Sequence, residues 1–158
     1  MLKENENLEQ DLRENFFYDI DIKEEVGEDG KKRMKVLGII QKADTINLNN
    51  RIYPRSVLRK AVSELQKKIK EGKVFGELDH PTFGASLKDT SHLVSKVWWD
   101  EKDDAILRGE MTVTETPNGE ILKEILHAGG RPGFSSRGRG ELVMKKVKGG
   151  GEVNMVKP

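Results

Sequence analysis

Val36-Leu37-Gly38-Ile39-Ile40 is apolar at every position that carries a side chain. Neighbouring side chains of a strand point to opposite faces, so this run is apolar on both and predicts a central strand of a sheet. Gly38, in its middle, marks a bend or a close approach of another part of the chain. Around this run the sequence reads as strands joined by hairpin-length turns. An alternating segment from Phe16 to Glu24 leads into a turn at Gly27-Glu28-Asp29-Gly30, and Met34 to Lys42 returns. Further strands are expected over Lys73 to Leu78, Ser91 to Trp99 and Ala105 to Thr114, with Asp100 to Asp104 turning between the last two. A closing hairpin is expected from Glu141 to Lys148 and Glu152 to Val156, around Gly149-Gly150-Gly151.

Only two stretches carry a helical period. After the turn-rich segment Asn47-Leu48-Asn49-Asn50-Arg51-Ile52-Tyr53-Pro54, the residues Val57, Leu58, Ala61, Val62, Leu65 and Ile69 fall on one face. Pro54 suits the first turn, and Gly72 ends the helix. Lys67 to Lys73 reads as its solvated end. Thr116-Pro117 starts the second helix as cap and first-turn proline, with Ile121, Leu122, Ile125 and Leu126 as its apolar face and Gly129-Gly130 beyond its end. The fold class is therefore α+β: an antiparallel sheet or barrel flanked by two helices.

At 158 residues the chain has the length of one domain. Residues 1–15 are polar apart from Leu2, Leu8 and Leu12 and are read as a flexible tail or marginal helix, leaving 16–158 as the domain. With 28 basic against 27 acidic residues, the net charge of +1 disfavours attachment to nucleic acid by bulk electrostatics. The absence of cysteine excludes disulfides, a cysteine nucleophile and thiolate metal sites. No apolar run approaches the ~20 residues that span a bilayer, and Met1-Leu2-Lys3-Glu4-Asn5 is too polar for a secretory signal. A soluble, cytoplasmically made protein is expected.

Chemistry concentrates in two segments. Gly133-Phe134-Ser135-Ser136-Arg137-Gly138-Arg139-Gly140 sets two hydroxyls between glycines, with two guanidinium groups behind them. A serine in such a backbone can be exposed, with main-chain N–H groups free to meet a developing negative charge. Gly76-Glu77-Leu78-Asp79-His80-Pro81 supplies a histidine, the usual base for a serine nucleophile. The first segment also reads as a tight turn between helix and strand. It is not the hydrolase nucleophile elbow, because glycine follows Ser135 by three positions rather than two. Arg137 and Arg139 resemble a fragment of an Arg-Gly nucleic-acid tract, although such tracts repeat. Glu77 and His80, with His92 or His127, offer metal ligands without the paired histidine spacing of a metal site, so no metal and no cofactor is expected. His127, closing the second helix, is read as structural, and Trp98-Trp99 as core and rim.

Taken in order, Asn50-Arg51-Ile52-Tyr53-Pro54 before a helix, Gly76-Glu77-Leu78-Asp79-His80-Pro81, Trp98-Trp99 and Gly133-Phe134-Ser135-Ser136-Arg137-Gly138 resemble the prohead core proteases of tailed bacteriophages. These are the capsid-maturation serine proteases of the myovirus type, and the resemblance runs from about Val36 to Gly140. It implies a β-barrel wrapped by helices, related to the herpesvirus assemblins. It further implies a serine endopeptidase acting inside the immature capsid, in the host cytoplasm, that cuts scaffold and capsid proteins, and itself, after glutamate with Leu or Ile two residues before. By motif, Ser135 matches the nucleophile and His80 the general base, with Arg137, Ser136 and nearby backbone N–H groups as oxyanion support. The resemblance also implies a further strand with an aspartate that orients the histidine, and then a C-terminal segment. The sequence ends at Asn154-Met155-Val156-Lys157-Pro158 before them, so a chain truncated relative to the pattern is expected. Asp89 and His92 are the in-chain substitutes for the third residue. Leu2-Lys3-Glu4 and Leu12-Arg13-Glu14 fit the cleavage pattern, as do Ile22-Lys23-Glu24, Ile69-Lys70-Glu71 and Leu122-Lys123-Glu124. Expected partners are phage scaffold and major capsid proteins as substrates, and a second copy of the chain. The alternative function is a non-catalytic assembly or scaffold-binding protein on the same fold.

Overall fold

A computed structural model describes residues 10–16, 18–79 and 85–157. Its elements run β1 (Gln10–Phe16), β2 (Ile20–Val26), β3 (Lys32–Lys42), β4 (Arg51–Ile52), α1 (Arg55–Lys70), β5 (Phe75–Glu77), β6 (Thr90–Trp99), β7 (Ile106–Val113), α2 (Pro117–His127), β8 (Phe134–Gly140), β9 (Leu142–Lys146) and β10 (Glu152–Val156). A short 3-10 turn, Leu87–Asp89, precedes β6.

The main sheet has the order β2-β3-β7-β6-β5, with every neighbouring pair antiparallel. The apolar run of β3 is central, as expected, between β2 and β7. One face buries Met34 and Val36 against Met111 and Val113 of β7 and Leu126 of α2. A second cluster joins Leu58 and Val62 of α1 to Ala43, Val97 and Leu107. Ile40 and Val94 border both clusters, so the two helices cover one continuous apolar layer. Opposite Val36 and Met111 in the pleat lie Leu37 and Glu110, which places Glu110 on the other face. There it is only 2% exposed, and Lys23 and Lys35 approach it at 3.3 and 3.4 Å.

Among the described residues no sheet closes into a barrel. β1 pairs with β8 in a two-stranded ribbon, and β4, β10 and β9 form a third sheet, so no strand is left to bridge the β2 and β5 edges. The open α+β sheet with two helices holds, and the barrel alternative does not.

Two local expectations change. Residues 10–15 are not loose tail but most of β1, held by pairing to β8 and by burial of Leu12, Glu14 and Phe16 on one face. The segment around Ser135 is not a tight turn but strand β8. The helix ends follow local chemistry. Thr116 accepts from the Gly119 N–H at 3.2 Å, and Gly72, at φ +69, closes α1 by donating to the Ile69 carbonyl while Lys73 donates to Lys68. Pro54 sits at the cap position, one residue before the first helical one. At Gly38 the close approach is a ring: a Cβ there would lie 3.0 Å from Phe134 Cε2, where β8 crosses β3.

Candidate active site

In the β1–β8 register, Phe16 faces Phe134, Asn15 faces Ser135, Glu14 faces Ser136 and Arg13 faces Arg137. Directly opposed residues of an antiparallel pair share a face, and alternate residues change face. Leu12, Glu14 and Phe16 are buried, so their side of the ribbon, with Phe134 and Ser136, points into the molecule. Ser135 and Arg137 lie on the outer side and are exposed. The two adjacent serines are therefore divided. Ser135 presents its hydroxyl outward and donates to the Glu14 backbone carbonyl at 2.9 Å, whereas Ser136 turns inward and is half-buried. Arg139 is also exposed and stands opposite residue 11.

Glu14 is completely buried, and its carboxylate is held from two sides. Oε1 accepts from Arg51 Nη1 at 2.7 Å and from the Tyr53 hydroxyl at 2.8 Å. Oε2 accepts from Asn47 Nδ2 at 2.7 Å and Asn49 Nδ2 at 2.8 Å. Asn49 Nδ2 also donates to the Arg13 carbonyl at 2.8 Å, and Arg51 reaches the same oxygen at 3.4 Å. A buried carboxylate is tolerated only when its lone pairs are satisfied, and here both oxygens have two donors. Burial, and then the bond to Glu14, push the Tyr53 phenol pKa up, so it stays a donor across the biological range.

The loop that makes this cradle is folded by its own asparagines. Asn47 Oδ1 accepts the backbone N–H groups of Asn49 and Arg51, each at 3.0 Å. Asn50 takes φ +56, a conformation asparagine tolerates better than most residues. Its side chain donates to the Glu152 carbonyl at 2.9 Å, which docks β10 behind the loop. The sequence marks Asn47–Pro54 as a turn; that it encloses a glutamate 33 to 39 positions upstream is visible only in the structure.

His80 lies outside the described residues, as do Pro81 and Leu2-Lys3-Glu4. Of the segment around it, β5 pairs antiparallel with β6 and places Gly76 beside His92. The pair is so close that a Cβ on Gly76 would meet His92 Nε2 at 1.9 Å; only glycine fits. His92 Nδ1 lies 2.8 Å from Ser91 Oγ, and burial lowers its imidazole pKa. Asp89 is exposed in the 3-10 turn, where its backbone carbonyl accepts from Asn118 Nδ2 at 3.1 Å. Glu77 accepts from the Ser86 N–H at 3.4 Å. His127 stands near β2, 3.5 Å from Glu24, at the opposite edge of the main sheet from Glu77 and His92. Glu77 and His127 therefore do not converge, and no metal-binding group occurs among the described residues. Trp99 packs in the α1 cluster with Arg59 over its ring at 5.4 Å, matching the core-and-rim reading.

Beside the ribbon, a cleft of about 360 Å³ opens between Asn15, Phe16, Tyr18, Lys42, Ile46 and Asn47. A larger one, about 640 Å³, lies between α1 and β6 and is lined by none of the residues around Ser135. No helix among the described residues is long and apolar enough to cross a membrane.

Residues 13–157 match the family described as prohead core protein serine protease. The chain is 30% identical over 115 residues to the prohead core protein protease of Enterobacteria phage T4, an alignment covering 72% of this chain and 54% of that protein. The chain thus spans about half the length of this curated relative. Its fold is similar to that of the bacteriophage T4 capsid assembly protease, with a TM-score of 0.81 and 25% sequence identity over 94% of this chain and 90% of the other.

Proposed function

The chain belongs to the prohead core protein serine protease family, and from that premise we propose that it is a serine endopeptidase of phage capsid maturation. Its substrates are scaffold and capsid proteins, cut after glutamate inside the immature capsid within the host cytoplasm. Its fold is an open relative of the herpesvirus assemblins. Ser135 is the nucleophile and His80 the general base. The observation that carries this reading is the exposed Ser135 hydroxyl resting on a peptide carbonyl of an extended strand laid along β8.

In the reaction, Ser135 Oγ bonds to the carbonyl carbon while its proton passes to His80. The oxyanion is met by Arg137 and by backbone N–H groups of the Ser135–Ser136 segment; one such donor is typically worth ~3 kcal/mol. Collapse breaks the C–N bond, and His80 protonates the leaving amine. Water then adds to the acyl carbon and gives its proton to His80, which passes it to Ser135 Oγ as the acyl C–O bond breaks and the acid is released.

The test is the intact mass of the purified chain after incubation, wild type beside Ser135→Ala. Fragments ending in glutamate from the wild type alone support the assignment. Identical fragmentation of both proteins would exclude Ser135 as the nucleophile.

A further inference from the structure

Strand β6 pairs with β7 from His92 to Trp99 on one side, but its other side is covered only in part. There β5 reaches from Glu77, opposite Thr90, to Phe75, opposite Leu93, and a last bond runs from the Val94 N–H to the Val74 carbonyl at 3.0 Å. From Ser95 to Trp99 no strand among the described residues covers this edge. The Val97 carbonyl accepts instead from the side-chain amide of Gln66, on α1, at 3.1 Å. One exposed side chain thus stands where a neighbouring strand would donate. Bare edges invite pairing with another chain, and proteins blunt them with lysines and bulges. Lys96 and the irregularity between Val94 and Lys96 fit that purpose. They do not account for the cleft of about 640 Å³ that α1 leaves open beside the same edge.

The charge of that cleft has one sign. Lys67 and Lys70 come from α1 and Lys96 from β6, and no carboxylate lines it. Of the three, only Lys67 has an ion-pair partner among the described residues, Glu64 at 2.9 Å, and both groups are well exposed, so that pair is weak. Lys96 stands directly opposite Glu110, yet Lys23 and Lys35 approach Glu110 from the β3 side at 3.3 and 3.4 Å. Ile69 and Trp98, both half-buried, supply apolar walls. We propose that the cleft between α1 and the Ser95–Trp99 edge is a docking site for an extended acidic segment of a partner protein, which adds to β6 as a further strand. A backbone N–H of the segment replaces Gln66 at the Val97 carbonyl, and its carboxylates meet Lys67, Lys70 and Lys96. A helix beside a bare strand edge suits recognition by strand addition, in which the main chain gives affinity and the flanking side chains give specificity. A nucleic acid would satisfy the lysines but has no peptide backbone to pair with the edge. The inference does not depend on the role of Ser135, which lies outside this cleft.

The test uses the full chain carrying Ser135→Ala, so that cleavage of the probe cannot enter. The probe is a fluorescent peptide, Glu-Glu-Val-Val-Glu-Glu, whose paired glutamates place carboxylates on both faces of a strand. Titrated by anisotropy, it is expected to bind saturably. Lys70→Gln with Lys96→Gln, two exposed substitutions, should weaken it about fivefold or more, the combined scale of two exposed charge contacts. The same peptide with glutamine for glutamate should bind roughly tenfold more weakly or worse. A version N-methylated at every residue keeps the charges but loses the backbone donors, and should also lose about tenfold or more. No saturable binding of the glutamate peptide, or equal binding by the double-lysine variant, overturns the proposal. So does an N-methylated peptide that binds as well as its parent, which would mean a charged patch without strand addition. A thymidine hexanucleotide that binds as tightly as the peptide would likewise overturn it in favour of a nucleic-acid surface.

Discussion

The Ser135 hydroxyl donates to the backbone carbonyl of Glu14 over 2.9 Å, across a strand pair in which Ser135 itself stands opposite Asn15. The side chain of Glu14 is meanwhile drawn into the molecule by Arg51 and Tyr53. One residue thus connects the exposed serine to the loop that precedes α1, and perturbing either end should be felt at the other.

Glu14→Ala and Arg51→Ala are each expected to lower stability by about 3 kcal/mol, because each leaves the partner charge poorly compensated in a site with little solvent. The double variant should cost clearly less than the sum of the two. Urea denaturation of the four proteins checks this, and strict additivity would mean that the two charges do not act as a pair.

Arg137→Ala should lower kcat by roughly a hundredfold with KM little changed, the pattern of a group that acts on the transition state. Steady-state kinetics on a glutamate-containing peptide separates this from a loss of binding, which would raise KM instead.

Gly76→Ala should be among the most destabilising small substitutions in the chain, because the new methyl group would overlap the His92 ring. Overpacking of this kind costs about 1–3 kcal/mol. His92→Ala in the same chain should restore much of the loss by vacating the space, measured as a recovery of melting temperature.

Burial lowers the His92 pKa, so the folded state prefers the neutral ring and the unfolded state binds the proton more readily. The neutral ring's contribution is complete above the ordinary histidine value of 6.5 and is lost as pH falls below it toward the depressed folded value. His92→Gln should flatten the stability profile across that window. An unchanged slope in urea titrations between neutral pH and pH ~5 would exclude His92 as its source.

Asp29 acts with the same sign in a more acidic window, although here it is the charged form that the fold favours. Its bonds to Arg33 and to the Lys31 N–H hold its carboxyl at about 2, so the contribution is present above the ordinary value of 3.8 and lost as pH falls toward 2. The pair is well exposed, so Asp29→Asn should change stability only slightly at neutral pH. The difference between the two proteins should disappear in acid.

Local sequence alone settled the hairpins of the main sheet and both helices. The apolar run at Val36–Ile40 could only be central, Thr116-Pro117 could only begin a helix, and the Asp100–Asp104 and Gly27–Gly30 turns bring their strands back as hairpins. These are local codes, written in periodicity, capping and backbone preference, and they need no distant partner. The ordered motifs around Tyr53, Gly76 and Ser135 likewise made the family legible. Tertiary structure decided the rest. Residues 10–15 look like tail because their composition is polar, yet Glu14 is buried, and burial of a charge is set by who surrounds it. Ser135 and Ser136 are chemically identical neighbours, and only pairing with β1 turns one outward and the other in. The ring of Asn47, Asn49, Arg51 and Tyr53 becomes a carboxylate receptor only when a strand more than thirty residues away in sequence is laid beside it. Contacts of that kind depend on where the sheet carries its strands, which no single stretch of sequence encodes.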